Sequence, residues 1–254
     1  LCGFGVPDVT GEVSVVPIVP GALLGGRVNY AQPQRGFRTG IEPVLLAASI
    51  QSAPGDRILE AGTGAAAGLL CLMARVSGLA GRGIERDADM AALARHNLDA
   101  NGHADTPVEV ADITAWRCEQ RYDHAFANPP WHYGGTGSPE PLRATAKHGS
   151  PGLLHAWAAS LARRLERRGT LTFIVPASAA GEAVAAMRDA NCRELVLVPL
   201  WPHAGEPARL AIVKGIREGR GGTTLHPGIV LHERDGTYTP LADSILRQGG
   251  ALVT

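Results

Sequence analysis

A mostly parallel α/β sheet with helices on both faces is predicted by three features of the chain. Strand-like and helix-like segments alternate from Arg57 onward, a glycine-rich turn joins the first of these strands to its helix, and one late junction is too short for a helix. Residues 1–30 are rich in Val, Pro and Gly with little periodicity and suggest a short strand or extended arm. QPQRGFRTG, residues 32–40, is a polar, Gly-punctuated loop. Glu42 and Pro43 open an apolar stretch from Val44 to Ile50, with Pro in a tolerated first-turn position. After Pro54-Gly55-Asp56 the strand candidates are Arg57–Ala61, Gly81–Glu85, Val108–Ala111, Tyr122–Ala127 and Thr170–Val175. The intervening helix candidates are Ala65–Val76, Asp87–Ala100, Leu153–Leu165 and Ala179–Arg188. Met90, Leu93, Ala94, Asn97 and Leu98 fall near one stripe, and Gly102 can end that helix. Glu194–Leu200 and Arg209–Lys214 then read as strands joined by WPHAGEPA. That link is too short for a parallel crossover, so these two strands should pair antiparallel at one edge of the sheet. Arg217–Thr223 reads as a mobile loop, Gly228–His232 as a last strand-like piece and Leu241–Arg247 as a short tail.

The 254 residues suffice for one large domain with extensions, divided here as an N-terminal extension over 1–31 and a main domain over 32–254. With 45% hydrophobic and 19% charged residues the composition is globular. Lys plus Arg and Asp plus Glu number 24 each, so any basic face for a nucleic acid must be local. Cys2, Cys71, Cys118 and Cys192 have no zinc-ligand or redox spacing, so neither a metal site nor a disulfide framework is expected. No apolar run reaches membrane-spanning length, and the chain reads as soluble and cytoplasmic, with no membrane partner.

Strand one ends in Glu60-Ala61-Gly62-Thr63-Gly64 before a helix, where glycines let backbone approach a ligand. Gly62, Gly64 and Ala67 also satisfy the dinucleotide pattern G-x-G-x-x-G/A, and a ligand-free tight turn would use the same residues. Glu85 follows strand two, in place to accept hydrogen bonds from ribose hydroxyls. Asp112 follows strand three, in place to meet an adenine edge. Glu60 lies two residues before the first loop glycine and would repel a pyrophosphate. S-adenosylmethionine (SAM) has no phosphate and carries cationic sulfonium and ammonium groups, so electrostatics favour SAM over NAD.

Strand four runs into Asn128-Pro129-Pro130-Trp131. The prolines stiffen the backbone and remove two amide donors, leaving the Pro129 carbonyl and the Asn128 side-chain carbonyl as acceptors. Two convergent acceptors can take both hydrogens of an amino group, aim its lone pair at a methyl donor and stabilise the charge that develops on nitrogen. Trp131 offers a face on which a planar base could stack. A rigid strand-to-loop turn is the plainer alternative.

EAGTG, the acids Glu85 and Asp112, and NPPW in this order resemble class I SAM-dependent amino-methyltransferases. QPQRGFRTGIEPVLLAA (32–48), LGGRV before it and LHERDGTYTPLADSILR near the end resemble the bacterial tRNA (adenine-N6) methyltransferases acting on valine tRNA. The resemblance runs from about Ala22 to the end. It implies a Rossmann-like class I fold, a mostly parallel seven-stranded sheet with helices on both faces and one antiparallel strand. It implies SAM as cofactor and tRNA as nucleic-acid partner. Arg38 and Gly40 would lie beside the cofactor, Glu60, Gly62 and Gly64 would hold its amino-acid end, Glu85 its ribose and Asp112 its adenine. Asn128, Pro129, Pro130 and Trp131 would hold the target amine. Glu60 stands where Asp is usual, and Ala66 where a third glycine is common. The same motif serves guanine N2 in RNA, adenine in DNA and glutamine amides in proteins. An NAD-linked oxidoreductase and a non-catalytic nucleic-acid binding module are the rivals from other classes. The segment 132–150, with Arg143, Lys147 and His148, reads as a substrate-gripping loop or a connection. Trp157 and the cluster Arg163, Arg164, Arg167 and Arg168 read as a core aromatic and a solvated helix face rather than an RNA platform.

Overall fold

Parallel strands fed by alternating helices build the sheet, and their register brings every turn of interest to one edge. The computed structural model describes residues 17–35, 39–130 and 152–253. Two short antiparallel pairs come first, β1 (Ile18–Val19) with β4 (Gln32–Pro33) and β2 (Ala22–Leu23) with β3 (Val28–Asn29). Then follow α1 (Glu42–Ser49), β5 (Arg57–Ala61), α2 (Ala67–Arg75), β6 (Ala80–Glu85), α3 (Ala88–Asp99), β7 (Val108–Val110) and β8 (Tyr122–Ala127). After the next described helix, α4 (Leu153–Ala162), come β9 (Leu165–Pro176), α5 (Ala180–Asp189), β10 (Cys192–Trp201), β11 (Leu210–Arg217), β12 (Thr223–Leu225), β13 (Ile229–Val230) and α6 (Pro240–Gln248).

The strands lie in the order β7-β6-β5-β8-β9-β11-β10, with β12 and β13 on the far side of β10. β5 pairs parallel with β6 and β8, β6 with β7, and β8 with β9. Ala61 faces Ile84 on one side and Ala127 on the other, so β5, β6 and β8 end level. Alternating side chains divide the core. Ile58, Phe126, Ile174 and Ile212 pack with α1, α2, α3 and α6, while Leu59, Ala61, Phe173 and Val213 pack with α4 and α5.

The expected antiparallel pairing of β10 and β11 is present, and no helix interrupts residues 202–209. The antiparallel strand is not at the edge, however. β11 lies between β9 and β10, pairing its backbone on both edges, while Ala211, Ile212 and Val213 are buried between the helical layers. β12 and β13 extend the sheet beyond the seven expected strands, and β12 begins inside the segment read as a loop. The arginine cluster is not a helix face. α4 stops at Ala162, Arg167 and Arg168 belong to β9, and buried Arg164 sets its guanidinium 4.8 Å from the Trp116 ring centre. Trp157 is the core aromatic expected. The C-terminal tail is a helix, α6, capped by the Thr239 hydroxyl and closed by Gly249 at φ +72°.

Asn97 joins three segments. Its side chain is 1% exposed and donates to the Ala31 carbonyl (2.8 Å) and the Ala65 carbonyl (3.0 Å) while accepting from the Ala31 amide (2.9 Å). The amide thereby satisfies backbone groups that neither sheet nor helix reaches. Asn97→Ala leaves them buried and unpaired and should cost about 2–4 kcal/mol in chemical denaturation. A loss below about 0.5 kcal/mol would show that the three segments are held by packing alone.

Candidate active site

Strand order reverses between β5 and β8, and the crevice beyond the carboxyl ends of such strands is where open α/β sheets bind ligands. The turn after β5 enters it in left-handed backbone, with Gly62 at φ +63° and Gly64 at φ +55°. The amides of Gly62 and Thr63 both donate to the Ile84 carbonyl, at 2.8 and 3.1 Å. A Cβ on Gly62 would come within 2.9 Å of the Trp157 ring, so this position needs glycine twice over, for conformation and for space. Ala66, at the position where the family commonly has glycine, is also left-handed (φ +69°) and fully buried. Such backbone costs a non-glycine residue roughly 1–2 kcal/mol and persists because its surroundings fix it.

The acids take distinct roles. Glu85, at the end of β6, accepts from the Gly64 amide through Oε2 and from the Asp87 amide through Oε1, both at 2.9 Å. Each oxygen keeps a further lone pair for a hydroxyl donor. Asp112, beyond β7, accepts from the Thr114 amide (2.8 Å) and hydroxyl (2.6 Å), both through Oδ1. These bonds hold its carboxyl below the usual aspartate range, so it is ionised at neutral pH, and Oδ2 takes none of the described hydrogen bonds.

Glu60 is the buried acid of the three. It faces the helical layer rather than the open crevice, is 4% exposed, and accepts from the Thr63 hydroxyl and the Leu69 amide (3.2 Å). Gly68 makes the room: any side chain there would collide with the Glu60 carboxyl and with Phe126. Burial pushes the Glu60 pKa up to about 8, against the lowering effect of its two donors, and the Glu85 charge adds to the rise. Tyr30 hydrogen-bonds Thr39 at 2.7 Å, and its pKa is pushed up to about 12 by burial, with the Glu60 charge contributing.

Asn128 follows Ala127 and so sits across from Gly62 at the strand ends, part-exposed, with Pro129 buried behind it. The structure therefore gathers Gly62, Gly64, Glu85 and Asn128 at one edge, with Asp112 just beyond the neighbouring strand. It brings Glu60 beneath that edge, and Gly40 lies exposed with the Glu42 side chain folded over it. Arg38 and Trp131 lie outside the described residues. Thr63 and Gly68 were not singled out in the sequence. A glycine inside a helical pattern was the available signal for Gly68.

The donor set fits SAM. Carboxylates at the ends of β6 and β7 can take ribose hydroxyls and an adenine amino group, the glycine turn leaves backbone exposed beside them, and nothing cationic in the turn is poised for a pyrophosphate. Among the described residues, no group of His, Cys, Asp or Glu could hold a metal ion, and no helix is long and apolar enough to cross a membrane.

Glu60 sets a pH dependence. Its folded pKa of about 8 lies above the ordinary 4.5, so its contribution favours folding below about pH 4.5 and is lost as pH rises to about 8. Glu60→Gln keeps an acceptor for Thr63 and Leu69 but never ionises. Its melting temperature relative to wild type should therefore climb between pH 5 and 8, and a difference that stays flat across that window would refute the buried, neutral carboxyl.

No family model matches the chain. It is 28% identical to a tRNA1(Val) (adenine(37)-N6)-methyltransferase of Aeromonas hydrophila, over 80% of this chain and 86% of that protein. Proteins of the same description from Actinobacillus succinogenes (26% identical, 84% and 90% covered) and Cronobacter sakazakii (33%, 60% and 64%) also align. Among solved structures, a predicted O-methyltransferase from Agrobacterium tumefaciens superposes with a TM-score of 0.69 at 24% identity, over 84% of this chain and 99% of that one. A SAM-dependent O-methyltransferase from Thermotoga maritima gives 0.53 at 17% identity, over 74% and 69%. At such identities these structures speak to fold alone. The chain thus has the fold of the class I SAM-dependent methyltransferases and is similar in sequence to the tRNA1(Val) (adenine(37)-N6)-methyltransferases.

Proposed function

We propose that the chain transfers the methyl group of SAM to the N6 amino group of an adenosine in tRNA, with Asn128, Pro129, Pro130 and Trp131 at the reaction centre. The observation that carries this reading is the rigid Asn128-Pro129-Pro130 turn across from the glycine turn at the sheet's switch point. The descriptions of the sequence relatives support tRNA as the substrate. Gly62 and Gly64 border the cofactor's amino-acid end, with Glu60 behind them as a proton-bearing carboxyl that a nearby cation would help to ionise. Glu85 holds the ribose and Asp112 the adenine. Arg38 and Gly40 close the near side, and residues 132–150 grip the RNA.

Bound SAM supplies a methyl group made electrophilic by a sulfonium. The Asn128 side-chain carbonyl and the Pro129 carbonyl accept the two hydrogens of the target amine and aim its lone pair along the transfer line. As the nitrogen–methyl bond forms and the sulfur–methyl bond breaks, the same acceptors stabilise the charge growing on nitrogen. The nitrogen then sheds a proton to water, so no strong general base is needed. Trp131 holds the adenine by its face.

Incubation with labelled SAM and separate pools of tRNA, rRNA, DNA and protein should label tRNA, with the label mapping to N6-methyladenosine; label in another pool, or on oxygen, overturns the reading. Glu85→Ala should weaken SAM binding by roughly 1–3 kcal/mol in calorimetry through loss of a charged acceptor. Asn128→Ala should keep SAM affinity and lose on the order of a hundredfold to a thousandfold in single-turnover transfer. Joint loss of SAM binding and transfer would make Asn128 a cofactor ligand instead.

A further inference from the structure

The C-terminal segment Leu231–Arg247 has no task in the site above, although it is one of the stretches that carry the family resemblance. β10 is antiparallel to β11, which is antiparallel to β9, which is parallel to β8, so residues after Trp201 emerge at the same sheet edge as Asn128. Ala127, Phe173, Val213 and Leu197 are level across these strands; β10 lies three strand spacings from β8, roughly 14–15 Å, and Trp201 is four residues beyond that level, roughly 13 Å further along the strand. At that edge three rings form a row. The His203 ring centre is 5.6 Å from that of His232, and His232 stacks on Tyr238 at 4.9 Å with an interplanar angle of 24°. The Arg247 guanidinium lies over Tyr238 at 5.9 Å. All three rings are part-exposed.

Their backbone is pinned. The Leu231 amide donates to the Trp201 carbonyl (2.8 Å), His232 to Pro202 (3.0 Å) and Glu233 to Thr237 (2.8 Å), and the Asp235 carboxylate ties the turn through the Thr237 amide and hydroxyl. Aromatic faces held on rigid backbone are what proteins offer to single-stranded nucleic acid, because every base has a face to stack. Charge does not dominate this surface. Arg209, Arg234 and Arg247 share it with Glu206, Glu233, Asp235 and Asp243, and Asp243 pairs with Arg247 at 3.2 Å. A partner here is recognised through base faces rather than phosphates, in keeping with the chain's zero net charge.

We propose that His203, backed by the His232–Tyr238 stack, offers the open end of this row as a stacking face for an unpaired base near the methylated adenosine. This rests on the RNA substrate proposed above. The platform fixes where the strand runs on leaving the Asn128 turn, and so which adenosines reach it.

The test uses the full-length chain with a valine tRNA transcript. It also uses a short single-stranded RNA that has one adenosine and carries 2-aminopurine at each flanking position in turn. Wild type should quench 2-aminopurine at one or two of these positions. His203→Ala and Tyr238→Leu should abolish that quenching and raise KM for tRNA roughly tenfold, with the loss falling on KM rather than kcat. Tyr238→Phe, which keeps the ring, should restore both. The dependence of KM on salt should keep its wild-type slope, because no phosphate contact is lost. Thermal melting identifies a variant that has merely unfolded, and His203→Ala, in an exposed turn, then decides. A wild type that methylates tRNA while both variants match it in KM and quenching overturns the platform alone. A wild type that methylates no RNA overturns the underlying function and the platform together.

Discussion

The turn from Gly62 to Ala66 is held from four sides, and the site exists because of that confinement. The Ile84 carbonyl of the neighbouring strand takes two of its amides, the Glu85 carboxylate takes a third, the Trp157 ring closes on Gly62, and the Asn97 amide grips the Ala65 carbonyl. The contacts come from three elements: β6 through Ile84 and Glu85, α4 on one face and α3 on the other. Asn97 extends the same grip to Ala31, so the N-terminal segment is tied to the turn through one side chain. Three left-handed residues in five positions are tolerable only with such support.

Electrostatics then separate acids that look alike in sequence. Asp112 is exposed and hydrogen-bonded to Thr114, which keeps it ionised. Glu60 is buried under a helical glycine, which keeps it neutral until cationic charge approaches. A site with one fixed anion and one inducible anion suits a ligand that is cationic at one end and a neutral nucleoside at the other, and SAM has that shape of charge. The same arrangement disfavours the pyrophosphate of a dinucleotide.

Much of this was legible in the chain. The alternation after Arg57 gave strand and helix positions within a few residues, and EAGTG, Glu85, Asp112 and NPP marked the edge where they meet. What escaped depended on tertiary packing. Nothing local says that β11 slips inside β10, since both read as apolar strands and only the long-range pairing with β9 decides. The burial of Glu60 was likewise hidden, because strand periodicity cannot show that Gly68 leaves room for its carboxyl under α2. The short Arg163-Arg164 turn was hidden by an apolar run continuing into β9. By contrast, α6 announced itself through Thr239-Pro240, Asp243 and Gly249, a cap, a first-turn proline, a first-turn acid and a terminal glycine. Length alone made it look like a tail.

The insertion of β11 between β9 and β10 bears on how the chain is made. As synthesis proceeds, β5 to β9 emerge first and can assemble as a parallel unit. At that stage β9 is an edge strand, and its residues Leu171, Phe173 and Ile174, buried in the finished fold, border an unpaired backbone ladder. Neither β10 nor β12 can protect it, because only β11 pairs with that edge. The growing chain therefore passes through a window, from about Pro176 to Arg217, in which a strand buried in the finished fold lies open to other chains. The β10–β11 hairpin is thus a closing piece for the nascent protein as much as a part of the finished sheet.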